Sequence, residues 1–266
     1  MSERYFERQL SEIEREERKL FAGCEKQDAP STGIAAKVEQ RIPPKLVDAL
    51  DEAFYRAFQV LFDQGTGLLR LTFSEKRLRA DRFIREYYLK ENPTTERVQS
   101  FHKSARASGI VTTALATAEG TVMGLFGMGL PDIPVLMSLL LRTVYTTALR
   151  YGYRFDNPRE RYYILLVLSA ALAKGSQRRA YSRKADEVGQ AIDSGVRLNV
   201  NLDEQMRDTA KALARSMLAV KFIQTTSIIG VVGSVQNFSA SRKVAVMANL
   251  KYQKRFLQRK KVENNP

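Results

Sequence analysis

The chain is predicted to be all-α, and three features of its 266 residues say so. Apolar positions recur every three or four residues almost throughout, strand-like alternation is scarce, and proline, glycine and capping residues punctuate the periodic stretches. At 44% hydrophobic and 27% charged, the composition is that of a folded chain, not a disordered tail or a polytopic membrane protein. The expected architecture is a compact multi-helix bundle with a glycine-rich, charge-poor central helical hairpin.

The first 20 residues mix both signs of charge around Tyr5, Phe6, Leu10 and Ile13. They read as a solvated helix or a frayed arm outside the core. Residues 24–33 (CEKQDAPSTG) read as a linker, which divides a charged N-terminal arm and linker (1–33) from a single helical domain (34–266). After Pro43 and Pro44, the series Val47, Leu50, Phe54, Phe58 and Leu61 sets one apolar stripe on a helix that Gly65 and Gly67 end. Ser74 caps the next helix, which carries Phe83, Ile84, Tyr87 and Tyr88 and stops before Pro93. Its other face is basic, with Lys76, Arg77, Arg79, Arg82 and Arg85.

Another helix is expected from about Thr94, burying Val98, Phe101 and Ala105. Between Ala107 and Leu141 the only charges are Glu119 and Asp132. A spanning helix needs roughly 20 uninterrupted apolar residues, and Glu119, Pro131 and Pro134 break this run. The stretch 124–142 therefore reads as a tight helix-to-helix corner leading into a core helix. Asp132 is placed to cap that helix, Pro134 is tolerated in its first turn, and Gly152 supplies the left-handed residue that ends it.

The sequence NPRE puts Asn157 at a cap, Pro158 at the first helical position and Glu160 where a capping box wants it, with the helix running to Leu172. Residues 174–187 suit a solvated helix or a loop equally. Met206, Ala210, Leu213, Met217 and Val220 mark a helix starting near Asp203, and the uncharged stretch 222–241 suits a helix buried among neighbours. The last helix is strongly basic with cations nearly all round, so it offers no clean membrane-lying face.

Composition also narrows the chemistry. Cys24 and His102 are the only residues of their types, which excludes an intrachain disulfide and the common zinc sites. A Cys24–His102 nucleophilic pair has no local support. The charged N-terminus lacks the apolar run of a signal peptide, so a cytoplasmic protein is expected. Gly120, Gly124, Gly127 and Gly129 match neither the dinucleotide fingerprint nor the P-loop, and no cofactor or metal is expected. Asp132 and Glu119, with Arg142 as a charge partner, are weak catalytic candidates, since no histidine, nucleophile or ligand cluster accompanies them.

Forty-three Lys and Arg against 29 Asp and Glu give a net charge of +14, which draws anionic partners. Arg77, Arg79, Arg82, Arg178, Arg179, Arg183 and Lys184 are the candidates for binding anionic lipid or phosphate, the alternative being a basic solvated exterior. No nucleic-acid recognition motif is present.

The run GMGLPDIPVLMSLLLR, then Tyr151 and Gly152, then IIGVVGSVQN and RFL at 255–257, resembles the EcsC protein family over about 45–257. The matching elements are Gly127, Gly129, Asp132, Pro134, Leu141, Arg142, Tyr151, Gly152, Gly230, Gly233 and Asn237. The pattern departs at Ser227, where the family has proline. The resemblance implies a bacterial, mostly helical protein whose namesake is encoded beside ABC-transporter subunits, with no established activity.

The expectation that follows is a non-enzymatic accessory protein, peripheral at the cytosolic face of the inner membrane. Its partners would be an anionic membrane surface or membrane transporter subunits. The alternatives are an enzyme with a carboxylate site around Asp132, or a nucleic-acid-binding protein.

Overall fold

The structure, a computed structural model, describes residues 3–24, 42–63, 73–91, 133–225 and 233–264. Among these are eight helices and no strand: α1 (Glu3–Leu20), α2 (Pro44–Asp63), α3 (Glu75–Glu91), α4 (Ile133–Tyr151), α5 (Pro158–Leu172), α6 (Gly175–Asp193), α7 (Leu202–Thr225) and α8 (Gly233–Asn264). The all-α bundle is therefore as expected.

The architecture grows outward from α5. Asn157 accepts the Glu160 amide proton on its side-chain oxygen at 2.9 Å, and Pro158 fills a position whose N–H would have no helical partner. Every residue from 162 to 172 is buried, because α6, α7 and α8 pack around this helix. A helix apolar on all sides is stable only in such a setting.

The second buried helix is α4, packed on α8, α3 and α2. It buries Thr143, Thr146 and Thr147 because their hydroxyls donate to carbonyls one turn back, those of Leu139, Arg142 and Thr143. Gly152 (φ 84°) ends the helix, with the Tyr153 amide reaching Ala148 O at 2.8 Å and the Gly152 amide reaching Leu149 O at 3.1 Å. Tyr145 and Phe155 then stack across the turn at 4.4 Å between ring centres.

Outside these, α2 packs on α7 and α4 through Phe54, Phe58, Leu61 and Phe62. The Tyr55 hydroxyl donates to Asp203 of α7, and the Arg207 guanidinium lies 3.8 Å from the Tyr55 ring centre. A hydrogen bond of 3.0 Å between Ser169 and Thr209 ties α5 to α7, and the Tyr151 hydroxyl donates to Asn249 at 3.0 Å, tying α4 to α8.

One open reading is decided and one expectation changes. Of the helix and the loop that suited 174–187 equally, the structure has the helix: Lys174 is the N-cap of α6, whose small Ser182, Ala185 and Gly189 let it approach α5 closely. The first 20 residues do not lie outside the core: α1 packs on α8 and buries Phe6, Gln9, Ile13 and Glu17, with Phe21 and Cys24 buried just beyond it. Its apolar stripe is short, but the charges beside it meet opposite charges on α8. The helix expected from Thr94, the hairpin before Ile133, His102 and Ser227 lie outside the described residues, as do 226–232 within the uncharged stretch.

Replacing Gly152 by Ala is expected to cost about 1–2 kcal/mol from the left-handed backbone alone, and more from the Arg82 guanidinium, whose carbon would lie 2.5 Å from the new Cβ. In an Arg82→Ala background only the backbone part should remain. Urea unfolding of the single and double variants measures both.

Candidate functional site

The last helix contains a turn in which cations face inward. Arg255 is 2% exposed and is held by carboxylates from two other helices. It donates to Glu160 of α5 through Nη1 and Nη2, both at 3.0 Å, and to Asp193 of α6 through Nε at 3.0 Å and Nη2 at 2.7 Å. Four of its five N–H groups are thereby used.

Aromatic rings complete the enclosure. The guanidinium carbon lies 4.1 Å from the Tyr153 ring centre and 4.3 Å from that of Tyr163. Gly189 leaves the space this needs, since a Cβ there would stand 2.9 Å from Arg255 Cδ and 3.0 Å from the Tyr163 ring. Burial works against the charged guanidinium, yet its hydrogen bonds to Asp193 and Glu160 outweigh that, and its pKa lies above the ordinary value. Burial pushes the Tyr163 and Tyr252 hydroxyls well above their usual pKa. Glu160, expected to close a capping box, instead turns its carboxylate to Arg255. A centre this fully engaged is a structural clamp between α5, α6 and α8.

One turn earlier, Lys251 is completely buried, with Nζ 2.7 Å from Glu17 Oε1 of α1 and 2.7 Å from Asp186 Oδ1 of α6. Lys254 shares the same two carboxylates at 3.5 and 2.7 Å. Two cations and two carboxylates thus alternate where α1, α6 and α8 meet. Among the described residues no group of three or more His, Cys, Asp or Glu could hold a metal ion.

The residues singled out from sequence are scattered. Glu119, Gly127, Gly129, Asp132 and Gly230 lie outside the described residues. Pro134 is in the first turn of α4, Arg142 is half-buried on the same helix, and Gly233 and Asn237 are in the first turns of α8. Of the basic candidates, Arg178 donates to the carbonyls of Ala170 and Leu20, and Arg179 to that of Phe21, so both close helix ends. Arg183 is exposed, and Lys184 is exposed with its ammonium 5.4 Å from the Tyr162 ring centre.

On α3, Arg82 turns inward over Gly152 and pairs with Glu86 at 2.8 Å, while Lys260 of α8 reaches Glu86 at 3.2 Å. Arg77 and Arg79 are exposed, Arg79 pairing with Glu75 along the helix. The outer face of α3 therefore presents Lys76, Arg79 and Ala80 in line with Phe83, Ile84 and Tyr87, which are 72%, 53% and 54% exposed. Sequence reasoning found these cations. It set them on the face opposite Phe83, Ile84 and Tyr87, whereas Lys76 and Arg79 share the exposed face of those residues and Arg82 turns inward, because periodicity marks a stripe without saying which stripe is covered.

Two outcomes follow. Arg255→Ala leaves two carboxylates without their cation and is expected to cost about 3–5 kcal/mol, with Arg255→Lys recovering only part because an ammonium cannot reproduce the fork; urea midpoints decide. Glu86 is the second. Burial alone would raise its pKa, but Arg82 and Lys260 outweigh burial and hold it below its ordinary 4.5. Its contribution is therefore complete above about pH 4.5 and lost as pH falls through the lower folded value. The melting-point gap between the parent chain and Glu86→Gln should narrow between pH 6 and pH 3.

No curated protein and no solved structure matches the chain. The family model described as "EcsC protein family" matches residues 7–257, so the likeness takes in most of α1 as well as the stretch from residue 45. A match over nearly the whole of the 266 residues, from the acidic face of α1 to the clamp turn of α8, means that the chain belongs to the EcsC protein family.

Proposed function

We propose that this chain is a non-enzymatic helical accessory protein that works at the cytosolic face of the bacterial membrane, held on an anionic bilayer by the outer face of α3, in the service of an ABC transporter or another envelope process. The observation that supports this reading is the exposed stripe of Lys76, Arg79, Phe83, Ile84 and Tyr87 on a helix whose opposite side, through Leu78, Arg82 and Glu86, is turned to the bundle.

A helix so divided lies in the plane of an interface, with its aromatic residues at the headgroup boundary and its cations beside lipid phosphates. No helix among the described residues is long and apolar enough to cross a membrane, so attachment would be peripheral. The net charge of +14 favours an anionic surface over a neutral one. The clamp around Arg255 suits a rigid scaffold for presenting α3, and its donors are already committed to protein carboxylates. The transporter setting comes from the family alone.

Co-flotation with vesicles is the test. The chain should rise with phosphatidylglycerol-containing vesicles and stay behind with phosphatidylcholine alone. Neutralising Lys76, Arg77 and Arg79 as Gln should weaken binding by about 1 kcal/mol per residue. Replacing Phe83, Ile84 and Tyr87 by Ser should remove whatever binding survives high salt. Absence of flotation with anionic vesicles overturns the proposal.

A further inference from the structure

Helix α1 meets the bundle through an ordered set of charges set among apolar residues. Its face toward the bundle alternates acid and apolar residues at helical spacing: Glu3, Phe6, Glu7, Leu10, Ile13 and Glu17. The facing side of α8 offers Lys251, Lys254 and Lys261 at matching intervals. The two run antiparallel, with Glu3 and Glu7 at 3.3 and 3.2 Å from Lys261 and Glu17 at 2.7 Å from Lys251. Two cations of α6 close the far end, Arg178 on the Leu20 carbonyl and Arg179 on that of Phe21.

Packing of α1 thus runs to α8, with polar ties to α6, and residues 25–43 lie between the docked segment, which ends at Cys24, and α2. A separation of that length can span several tens of ångströms when extended. Chain connectivity therefore does not oblige α1 to dock on the α8 of its own molecule.

We propose that α1 is an exchangeable strap, and that the surface it covers on α8 and α6 accepts the same helix from a second copy of this chain. Among the described residues, the contacts that hold α1 at home are available to it in trans: the three lysines of α8, the two arginines of α6, and the apolar seats of Phe6, Ile13 and Phe21. Exchange of an identical element between two copies creates no new contact and loses none, so its free energy is set by concentration and by the segment joining α1 to α2. The charge order makes acceptance selective, since a helix lacking acids at positions 3, 7 and 17 leaves Lys251 buried with Asp186 as its remaining carboxylate partner. This inference does not depend on the lipid reading.

Cys24, the chain's single cysteine, is 2% exposed at the end of the strap and reports on its position. The intact chain is incubated with a fluorescent peptide of residues 1–24 carrying Cys24→Ser, and the thiol is followed with Ellman's reagent. Bound peptide on gel filtration together with a Cys24 reaction rate raised roughly tenfold or more, at unchanged far-UV circular dichroism, is the expected result. A peptide with Glu3, Glu7 and Glu17 changed to Lys should do neither. No binding of the native-sequence peptide overturns the proposal. Binding with Cys24 still unreactive overturns it too, because the resident α1 has then stayed in place and the peptide sits elsewhere.

Discussion

The bundle depends on the neutralisation of Arg255. A guanidinium removed from water is tolerable only where carboxylates and rings replace its hydration, and here they come from two different helices and the connection before α5. Glu160 belongs to the first turn of α5, Asp193 to the last residue of α6, and Tyr153 to the connection after α4. The ion therefore fixes where one helix begins, where another ends and how the chain turns between α4 and α5. Apolar burial supplies the bulk of the cohesion in such a core, but it is indifferent to small rotations; the fork of a guanidinium is not.

The neighbouring charges extend the same logic to the periphery. Lys251 and Lys254 hold α1 and α6 together through Glu17 and Asp186, and Lys260 draws in α3 through Glu86. With Arg255 on α5 and Arg259 donating to the Tyr151 carbonyl of α4, the C-terminal half of α8 thus serves five helices with one run of cations. A helix that is basic on every side finds a stable place because acidic residues have been distributed around it. Much of the net positive charge outside α8 is left facing solvent, on α3 and along α6.

What the sequence disclosed was local. The start of α5 at Asn157 and Pro158, the end of α4 at Gly152 and the apolar series of α2 could all be read, since caps and periodicity act within a turn or two. What it hid was pairing at a distance. Arg255 lies 95 residues from Glu160, and nothing near either one signals the other. Read alone, Lys251 and Arg255 belong to a basic surface helix; Glu17 belongs to a solvated arm. Arg178 and Arg179 looked available for phosphate because a cation that closes a neighbouring helix has the same sequence appearance as one that faces water. What distinguishes them is the backbone carbonyl each one reaches, which the fold supplies from another segment of the chain.

The clamp turn also sets how the chain can tolerate change in length. Within residues 251–255 successive side chains address different neighbours: Lys251 meets α1 and α6, Tyr252 meets Tyr153 and Tyr163, and Arg255 meets α5 and α6. Adding or removing one residue in a helix rotates everything beyond it by about 100°. An insertion inside this turn would swing Arg255 away from both carboxylates at once, whereas one between α1 and α2 leaves Glu160, Asp193 and Tyr153 in register with it. The helix behaves like a key whose deepest cuts fall within five residues, so its register is set there before anywhere else.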